Sequence, residues 1–568
     1  MSPKAPISVI FRPSLRPQKG YFVRSSAIGA RRLIKIALLG ATALTFSAAA
    51  AFANNGDPAY LQYDGGAVIG SDNSPIGSVG PAGPVSGPIG SVGLSFEGVS
   101  QYDVAAFGRN FVPPDTMGAV GATQFMETTN GGYAVFDKAT GARQSIMSDV
   151  AFWAAAGRTG AFGDSRVMFD KPSQRWIVES FAASLDTIQV AVSDGSNALG
   201  GWHSTSFTGF AGGIADYPTL AMDSKAVYIA TNDFTAGGSY AGETLNVINR
   251  NDLFGAPGTA NVSSLKQFFT PLSAVLGGAD PGYAIQGVNN GNGNIISVSI
   301  QTSDIIQFNV NNPGSAGATL TAPTYLGTTP YGVNKPGAQP GDAVIKGPVI
   351  DTLDDRISGS AWQQNGKIYA VHTVTPLGGS HSELVWTVSD AATGHLIQQG
   401  TISGGGYDYY QGSLAVNASG QVVISYDRSG STPGGGLISI FAKSFGSNAL
   451  GQLYGTGTYF LHTSNTDQYH NGSLDGQAAR GRQRWGDYSA VTVDPNNDQS
   501  FWVIGEFARE FNDAANGHPG GSGGSRWGTW ISDLHIAAIP EPATWTGMLL
   551  GFGLIGGALR RRSSTTLA

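Results

Sequence analysis

Aspartates recur at one position of a repeated sequence pattern. Five similar stretches place an aspartate just before a short alternating run of residues: Asp115, Asp164, Asp216, Asp355 and Asp487. If these runs are equivalent strands around one axis, the five carboxylates form a ring at the mouth of a central channel. Calcium prefers several hard oxygen ligands of this kind. With nearby arginines the carboxylates could instead form ion pairs or bind a sugar. A structural role, in which each carboxylate accepts hydrogen bonds from its own turn, is favoured because it recurs in most copies.

A second acidic pattern lies near the C-terminal end of the repeats. Asp494, Asn496 and Asp498 are spaced like the first ligands of a calcium loop. The stretch lacks the glycine and the glutamate that complete an EF-hand loop, so an ordinary hairpin turn is favoured. Calcium is therefore the one cofactor candidate, and no cofactor is certain.

Signals for an enzyme are poor. The eight histidines are scattered without the HExxH spacing of a zinc site. A GxSxG string occurs at 520–524, but it lies in a Gly/Ser-rich loop rather than at a strand-to-helix turn. We predict no catalytic residue. Carboxylate pairs across the channel could still hydrolyse a glycan, and spacing alone cannot exclude this.

The repeated stretches predict β-hairpins. Each has a polar start, a short strand, a turn rich in Asp, Asn and Gly, and a second strand rich in Val, Ile, Tyr and Trp. Further strand-like runs follow most copies, so each copy accounts for about four antiparallel strands. Six clear copies and a weaker one from Ala284 predict an all-β fold, a β-propeller of seven blades. Six or eight blades, or two packed β-sandwiches, are the alternatives.

Two local predictions complete the propeller. The segment Leu94–Val99 should pair beside Arg526–Ile536 and close the ring, because closure leaves no blade edge bare. Helical periodicity is scarce, and Ser148–Ala156 is the best candidate helix.

Composition is typical of an exported β-rich protein. Charged residues make up 12% of the 568 residues, glycine is abundant at 82 residues, and cysteine is absent. Stability must therefore come from packing rather than from disulfides. The net charge is −7, and no basic cluster lies outside the termini. This argues against nucleic acid as a partner, since phosphate binding needs clustered Lys and Arg.

The N-terminal region reads as a secretory signal peptide, residues 1–53. Basic residues precede an apolar stretch, and Ala51 and Ala53 frame an A-x-A cleavage pattern. Residues 54–93 are rich in Gly, Pro and Ser, with PIGSVG occurring twice, and predict a flexible or extended linker. The propeller body should then span residues 94–537.

The C-terminal region combines three features. The triplet Pro540, Glu541, Pro542 precedes a largely apolar span at 545–559, and three arginines follow: Arg560, Arg561 and Arg562. A helix of fifteen residues reaches roughly 22 Å, short of the 30 Å bilayer core, though snorkelling arginines can extend it. The basic cluster should stay cytoplasmic. We predict a transmembrane sorting segment within 538–562 and a tail at 563–568.

This C-terminal region resembles the PEP-CTERM sorting signal of Gram-negative bacteria. The resemblance implies export, an inner-membrane anchor before processing, and cleavage near the triplet by an exosortase-type membrane peptidase. Similar motifs lie at the C-terminus of some ice-binding proteins, but a sorting signal does not imply ice-binding activity. A plain, unprocessed transmembrane anchor is the alternative.

The body also resembles bacterial secreted propeller-like proteins of unassigned function. The stretches 113–121, 135–141, 164–176 and 484–495 carry this resemblance. It supports fold and export only. We therefore predict a cell-surface or extracellular-matrix protein that binds polysaccharide or protein and is not an enzyme. The alternative is an extracellular glycan hydrolase or lyase that uses carboxylates at the channel mouth.

Overall fold

The computed structural model describes most of the repeat-bearing body. The described residues are 50–52, 61–63, 90–108, 111–275, 282–299, 302–332, 334–340, 350–432, 435–448, 450–466, 483–511, 515 and 525–538. They all lie in one compact unit, Ser47–Ala568. The remainder of the predicted signal peptide, most of the linker and the sorting segment from 539 onward lie outside them.

Thirty-two strands dominate the described residues. They are β1 (Ala50–Phe52), β2 (Leu61–Tyr63), β3 (Gly90–Ser100), β4 (Met117–Val120), β5 (Gln124–Thr129), β6 (Gly132–Asp137), β7 (Arg143–Ser148), β8 (Ala161–Asp170), β9 (Arg175–Ala182), β10 (Thr187–Ser193), β11 (Trp202–Thr208), β12 (Gly213–Met222), β13 (Ala226–Thr235), β14 (Tyr240–Asn249), β15 (Lys266–Pro271), β16 (Tyr283–Asn289), β17 (Asn294–Val298), β18 (Ile305–Asn311), β19 (Thr319–Leu320), β20 (Thr324–Tyr325), β21 (Tyr331–Gly332), β22 (Ala361–Gln364), β23 (Lys367–Pro376), β24 (Glu383–Asp390), β25 (Leu396–Ile402), β26 (Asp408–Val416), β27 (Val422–Ser429), β28 (Ser439–Ser447), β29 (Leu453–Thr463), β30 (Ala490–Val493), β31 (Ser500–Phe511) and β32 (Ser525–Ile536).

The described helices are short. They are α1 (Gln101–Ala106), α2 (Asp149–Ala155), α3 (Arg250–Phe254) and α4 (Leu272–Val275). The helix predicted at Ser148–Ala156 is confirmed as α2, whose N-cap Ser148 accepts a hydrogen bond from the N–H of Ala151. None of the described helices is long and apolar enough to cross a membrane. The predicted span at 545–559 is not among the described residues.

Most strands of the body fall into seven groups of four antiparallel strands, which we call blades 1 to 7. They are β4–β7, β8–β11, β12–β15, β16–β19, β22–β25, β26–β29 and the set β30, β31, β32, β3. Five of these groups are separate sheets, whereas β16–β19 and β22–β25 belong to one ten-stranded sheet in which β16 pairs parallel with β22, β20 pairs with β18 and β21 pairs with β23. The first strand of each blade packs against the first strand of the next, and β30 of blade 7 packs against β4 of blade 1. The all-β propeller fold predicted from the sequence is confirmed. Seven is the blade number we propose for the ring.

Blade 7 is completed by the N-terminal strand of the body. Strand β3 pairs antiparallel with β32, with Phe96 opposite Ile531 and Gly90 opposite Ile536. The predicted pairing of Leu94–Val99 beside Arg526–Ile536 is thus confirmed. The strand begins at Gly90, inside the stretch assigned to the linker. Because strands from both ends of the body share one blade, neither end can peel away without opening the ring.

The cores lie between blades and contain most of the tryptophans. Trp176, Trp485 and Trp527 have no exposed surface. Trp176 packs on Phe169 with ring centroids 4.8 Å apart. Such burial of large side chains is the main stabilisation available to a chain without disulfides.

Close approach of neighbouring blades requires glycine at particular positions. A Cβ built on Gly359, just before β22, would lie 2.7 Å from the Cα of Ser413 in β26. Backbone cannot yield as a side chain can, so we expect Gly359→Ala to lower the free energy of unfolding by about 1–3 kcal/mol. Gly237→Ala, whose Cβ would meet nothing closer than 3.8 Å, is the control. Urea denaturation measures both, and equal midpoints for the two variants would contradict the expectation.

Candidate functional site

The first strands of several blades are interrupted near their start by a β-bulge. Register shifts interrupt β8 between Gly163 and Arg166, and β12 between Asp216 and Thr219. The bulged residue Asp164 has φ 54°, and Asp115 just before β4 has φ 47°. Left-handed backbone is uncommon outside glycine, although aspartate tolerates it better than most residues. Bulges re-aim side chains and are common beside functional sites.

Carboxylates from blades 1, 2 and 7 lie close together at the start of the first strands. One carboxylate oxygen of Asp115 accepts the N–H of Asp487 at 2.8 Å, and the other accepts the amide Nδ2 of Asn130 at 2.6 Å. Asn130 Oδ1 in turn accepts the N–H of Asp164 at 2.9 Å. Arg484 donates to Asp487 at 3.0 Å. The structure therefore links three of the five predicted ring aspartates in one hydrogen-bonded cluster.

Burial and mutual repulsion alter the acidity of this cluster. Burial raises the pKa of Asp115 well above its usual range, and the Asp487 carboxylate raises it further. Burial likewise raises the pKa of Asp164, with the charge of Asp216 adding to the effect. The Asp164 carboxylate also raises the pKa of Asp115. A carboxyl pair that holds a proton can act as an acid. Asp115, however, is only 2% exposed and has both oxygens in use.

Asp355, another of the predicted ring aspartates, has a different set of partners. Asp355 accepts a hydrogen bond from the Tyr331 hydroxyl at 2.6 Å. Its carbonyl oxygen lies 2.7 Å from Nδ1 of the buried His372. Burial, followed by the neighbouring Asp354 carboxylate, raises the pKa of Asp355 to about 7. These contacts fit a residue that fixes its own loop.

Arginine and tyrosine side chains from different blades stack on one another. The Arg166 guanidinium carbon is 4.1 Å from the centroid of the Tyr488 ring, and that of Arg356 is 4.2 Å from the centroid of Tyr217. The two tyrosine rings are 4.9 Å apart. Arg166 also donates to the carbonyl of Pro218 at 2.9 Å. Side chains from blades 2, 3 and 7 are thus held together by cation–π contacts.

The weak calcium candidates lie in the turn between β30 and β31. Asp494 Oδ1 accepts the N–H of Asn496 at 2.8 Å and pairs with Lys138 at 3.0 Å. Asn496 donates to a carbonyl of blade 1, and Asp498 accepts the N–H of Ala418 in blade 6. Across the residues that the structure describes, no group of three or more acidic or histidine side chains is arranged to hold a metal ion. Calcium stays a prediction.

A different site, absent from our sequence predictions, lies between blades 4 and 5. It is a cleft of about 700 Å³ whose lining includes amide and hydroxyl side chains from both blades. We call it the amide cleft; its polar lining residues are Asn292, Asn294, Gln307, Asn309, Asn311, Thr321, Thr324, Gln363, Asp390 and Thr393.

Hydrogen bonds between amides set the positions of these groups. Asn309 Nδ2 donates to Asn294 Oδ1 at 3.2 Å, and Asn294 Nδ2 donates to Gln363 Oε1 at 2.8 Å. The chain of amides thus crosses from blade 4 to blade 5. Asn292 and Asn311 are exposed at its ends. An amide offers both a donor and an acceptor, so the cleft can match a ligand rich in hydroxyl groups.

One ionisable side chain is found among the lining residues of the amide cleft. Asp390 accepts hydrogen bonds from the N–H groups of Ala392 and Thr393 and from the Thr393 hydroxyl. These hydrogen bonds, the one from the hydroxyl first, lower the pKa of Asp390. The carboxylate is therefore a turn-forming group that stays ionised. Glycoside hydrolysis uses two carboxyl groups, and Asp390 alone does not provide such a pair.

Comparison with known proteins identifies the C-terminal segment. Residues 538–562 match the family described as the PEP-CTERM protein-sorting motif. The chain carries a PEP-CTERM sorting motif. This confirms the predicted PEP-CTERM motif; the triplet Pro540–Pro542 and the arginines Arg560–Arg562 lie within the matched residues. The PEP-CTERM motif implies export, membrane-anchored sorting and processing by an exosortase.

The body of this PEP-CTERM protein has weak structural similarity to known propellers. A protein of unknown function from Dyadobacter fermentans is 10% identical, with a TM-score of 0.31, covering 75% of this chain and 94% of that one. The Dos1 propeller is 10% identical, with a TM-score of 0.34, covering 80% and 96%. No curated protein matches the sequence significantly. Similarities of this size carry no argument about function, so the function must be argued from the sites.

Proposed function

We propose that this protein is an exported, exosortase-processed binding protein whose ligand is an uncharged extracellular polysaccharide held in the amide cleft. The single observation that carries the proposal is the lining of the cleft. Amides and hydroxyls from two blades face one another there, with Asp390 as the one ionisable side chain among the lining residues. Neutral sugars present hydroxyl groups, which donate and accept as amides do. After processing, the propeller would act at the cell surface or in the extracellular matrix.

The proposal predicts selectivity for neutral polymers. In affinity electrophoresis, migration of the full-length protein should be slowed by dextran or galactomannan in the gel, and much less by alginate. An acidic polymer would place carboxylates against Asp390 and gain no cationic partner from the cleft lining. Equal or stronger retardation by alginate would contradict the proposal.

Removing amides from the cleft should weaken this binding. The double variant Asn309→Ala, Asn311→Ala loses two side-chain amides, and each net hydrogen bond is worth about 0.5–1.5 kcal/mol. We expect an affinity loss of about tenfold or more. Asn261→Ala, which removes an exposed amide of blade 3, is the matched control and should bind as the native protein does. Unchanged binding by the double variant would show that the polysaccharide lies elsewhere.

The raised pKa values of Asp115 and Asp164 favour a second candidate, glycan cleavage at the channel mouth. Release of reducing ends from the same polymers tests it. Asp164→Asn should abolish release if the pair supplies the acid. If the native protein releases reducing ends and this variant does not, the protein is a hydrolase or lyase rather than a binding protein.

A further inference from the structure

The hydrogen bonds of the amide cleft run in one direction across it. Nδ2 of Asn309 donates to the backbone carbonyl of Asn292 at 3.5 Å and to Oδ1 of Asn294 at 3.2 Å. A backbone carbonyl can only accept, so this contact fixes the orientation of the Asn309 amide. Asn294 then presents its Nδ2 on the other side, where it donates to Oε1 of Gln363 at 2.8 Å. We call the three side chains Asn309, Asn294 and Gln363 the amide relay.

The direction of the relay leaves a different atom available at each end. Asn309 uses its Nδ2, so its Oδ1 remains as an acceptor, and Gln363 uses its Oε1, so its Nε2 remains as a donor. Among the residues that the structure describes, neither of these two atoms has a hydrogen-bond partner, and each retains accessible surface. Both side chains line the cleft and are partly exposed, so a ligand can reach them.

A hydroxyl group gains nothing from this fixed polarity, whereas an acetamido group does. A hydroxyl rotates to donate or to accept, so a plain hexose would satisfy either end equally. A secondary amide has a fixed donor, its N–H, and a fixed acceptor, its C=O, on opposite sides of a planar group. Its N–H can donate to Oδ1 of Asn309 while its carbonyl oxygen accepts from Nε2 of Gln363.

The rest of the lining suits the same group. Ala322, Ala391 and Ala392 place small apolar side chains among the amides and hydroxyls of the cleft. An acetyl methyl group that packs against them would remove apolar surface from water. Phe308 is the aromatic residue of the lining, and it is only 3% exposed. Because no broad aromatic face is presented for stacking on plain sugar rings, recognition depends on the polar groups.

We propose that the amide cleft selects polysaccharides built from 2-acetamido sugars, such as β-1,4-linked N-acetylglucosamine. The relay orients the acetamido group, and the alanines receive its methyl group. Such polymers are uncharged, in keeping with a lining whose residues include no Lys or Arg. This inference rests on the proposed function, since it names the sugar class bound at the same site.

The test compares two tetrasaccharides that differ at this group alone. Chitotetraose and cellotetraose share a β-1,4-linked backbone, and the first carries an acetamido group where the second has its C2 hydroxyl. Titration calorimetry uses the full-length protein in lipid nanodiscs, with empty nanodiscs as the blank. The native protein should bind chitotetraose about tenfold more tightly than cellotetraose, as two net hydrogen bonds would give.

Gln363→Glu tests the donor end of the relay. Glutamate keeps an oxygen that accepts from Asn294 but has no N–H for the acetamido carbonyl. The preference for chitotetraose should therefore fall to about twofold or less. Gln364→Glu is the matched control, because it adds the same charge at the next residue, which is not among the lining residues of the cleft. This variant should keep the preference of the native protein.

The outcomes separate this inference from the proposed function. A preference for chitotetraose that Gln363→Glu loses and Gln364→Glu keeps supports the inference. No preference in the native protein, a preference that survives Gln363→Glu, or one lost equally in both variants overturns it. Polysaccharide binding still stands if dextran or galactomannan slows migration in the gel. If neither polymer slows migration and neither tetrasaccharide binds, the proposed function fails as well.

Discussion

Replacing Arg166 with methionine is expected to lower the free energy of unfolding by about 3–5 kcal/mol, the cost of removing one member of a buried charged network. Arg166 is 1% exposed, stacks on Tyr488 and donates to the carbonyl of Pro218. Glu179, fully buried on the adjacent strand, lies opposite it. The positive charge of Arg166 favours the ionised form of Glu179, whose pKa burial raises. Methionine fills similar volume but leaves that carboxyl without a counter-charge.

Urea denaturation of the full-length protein measures this effect. Arg428→Met is the matched control, because Arg428 stacks on Tyr407 and Phe441 at 4.3 Å but is partly exposed. Its loss should cost about 0.5–1 kcal/mol. Adding Glu179→Gln to the Arg166 variant should restore part of the stability if the lost counter-charge is the cause. Equal losses for the two arginine variants would contradict the argument.

The melting temperature should fall as pH rises from 6.5 to 8. Burial raises the pKa of Glu127 and Asp427 to about 8, and that of Asp233 and Asp355 to about 7. Each group holds its proton more tightly in the folded than in the unfolded chain. Above the unfolded values near 4, deprotonation therefore favours unfolding, until the folded pKa is passed. Each group contributes a slope of up to about 1.4 kcal/mol per pH unit.

Buried histidines act in the opposite direction, but in a different window. Burial lowers the pKa of His372 and His462 to about 4. Their contribution to stability is present above the unfolded value near 6.5 and is lost as pH falls from there toward 4. Between pH 6.5 and 8 the buried carboxyl groups with raised pKa values, these four and others such as Asp115, Asp164 and Glu179, consequently determine the slope.

Differential scanning calorimetry across this range checks the prediction. Glu127→Gln should flatten the slope, because glutamine does not titrate; its amide oxygen can accept from the N–H of Val99, and its amide N–H can donate to the oxygen of the Thr529 hydroxyl. Asp186→Asn is the control: hydrogen bonds, the one from Ser184 first, lower the pKa of Asp186, so it does not titrate in this window. A melting temperature that rises with pH, or one unaffected by Glu127→Gln, would contradict the prediction.

Local sequence patterns were sufficient to predict the architecture. The hairpin copies correspond to pairs such as β4–β5 and β12–β13, and the closing strand and helix α2 are where their patterns placed them. These features depend on alternation, turn residues and capping, which act over a few neighbouring positions. The sorting motif is likewise read from contiguous residues.

Features that depend on geometry between blades could not be predicted in this way. The hairpin copies place Asp216 in line with Asp164, yet the left-handed residue of β12 is Tyr217. The bulges that create this offset cannot be recognised from the alternation of apolar and polar residues in the sequence. The stacking of Arg166 on Tyr488 joins residues 322 positions apart, which no local pattern shows.

The amide cleft left a partial signal. Gln307, Asn309 and Asn311 alternate with apolar residues along β18, so they share one face of the strand. That alternation was sufficient to predict a polar face. Its partners Gln363 and Asp390 come from the next blade, and only the folded ring brings them opposite.

The pairing of Gly90 with Ile536 has a consequence for display of the protein. Ile536 bonds to Gln499 and Ala537 to Gln421, at hairpin turns of blades 7 and 6, so both ends of the described body lie at the face that carries these hairpin turns. Eight residues, 537–544, then precede the predicted membrane span and reach at most about 27 Å when extended. A tail anchored by the predicted span would hold this face near the bilayer and shield it from large polymers. Exosortase cleavage would free the protein and unmask that face in one step.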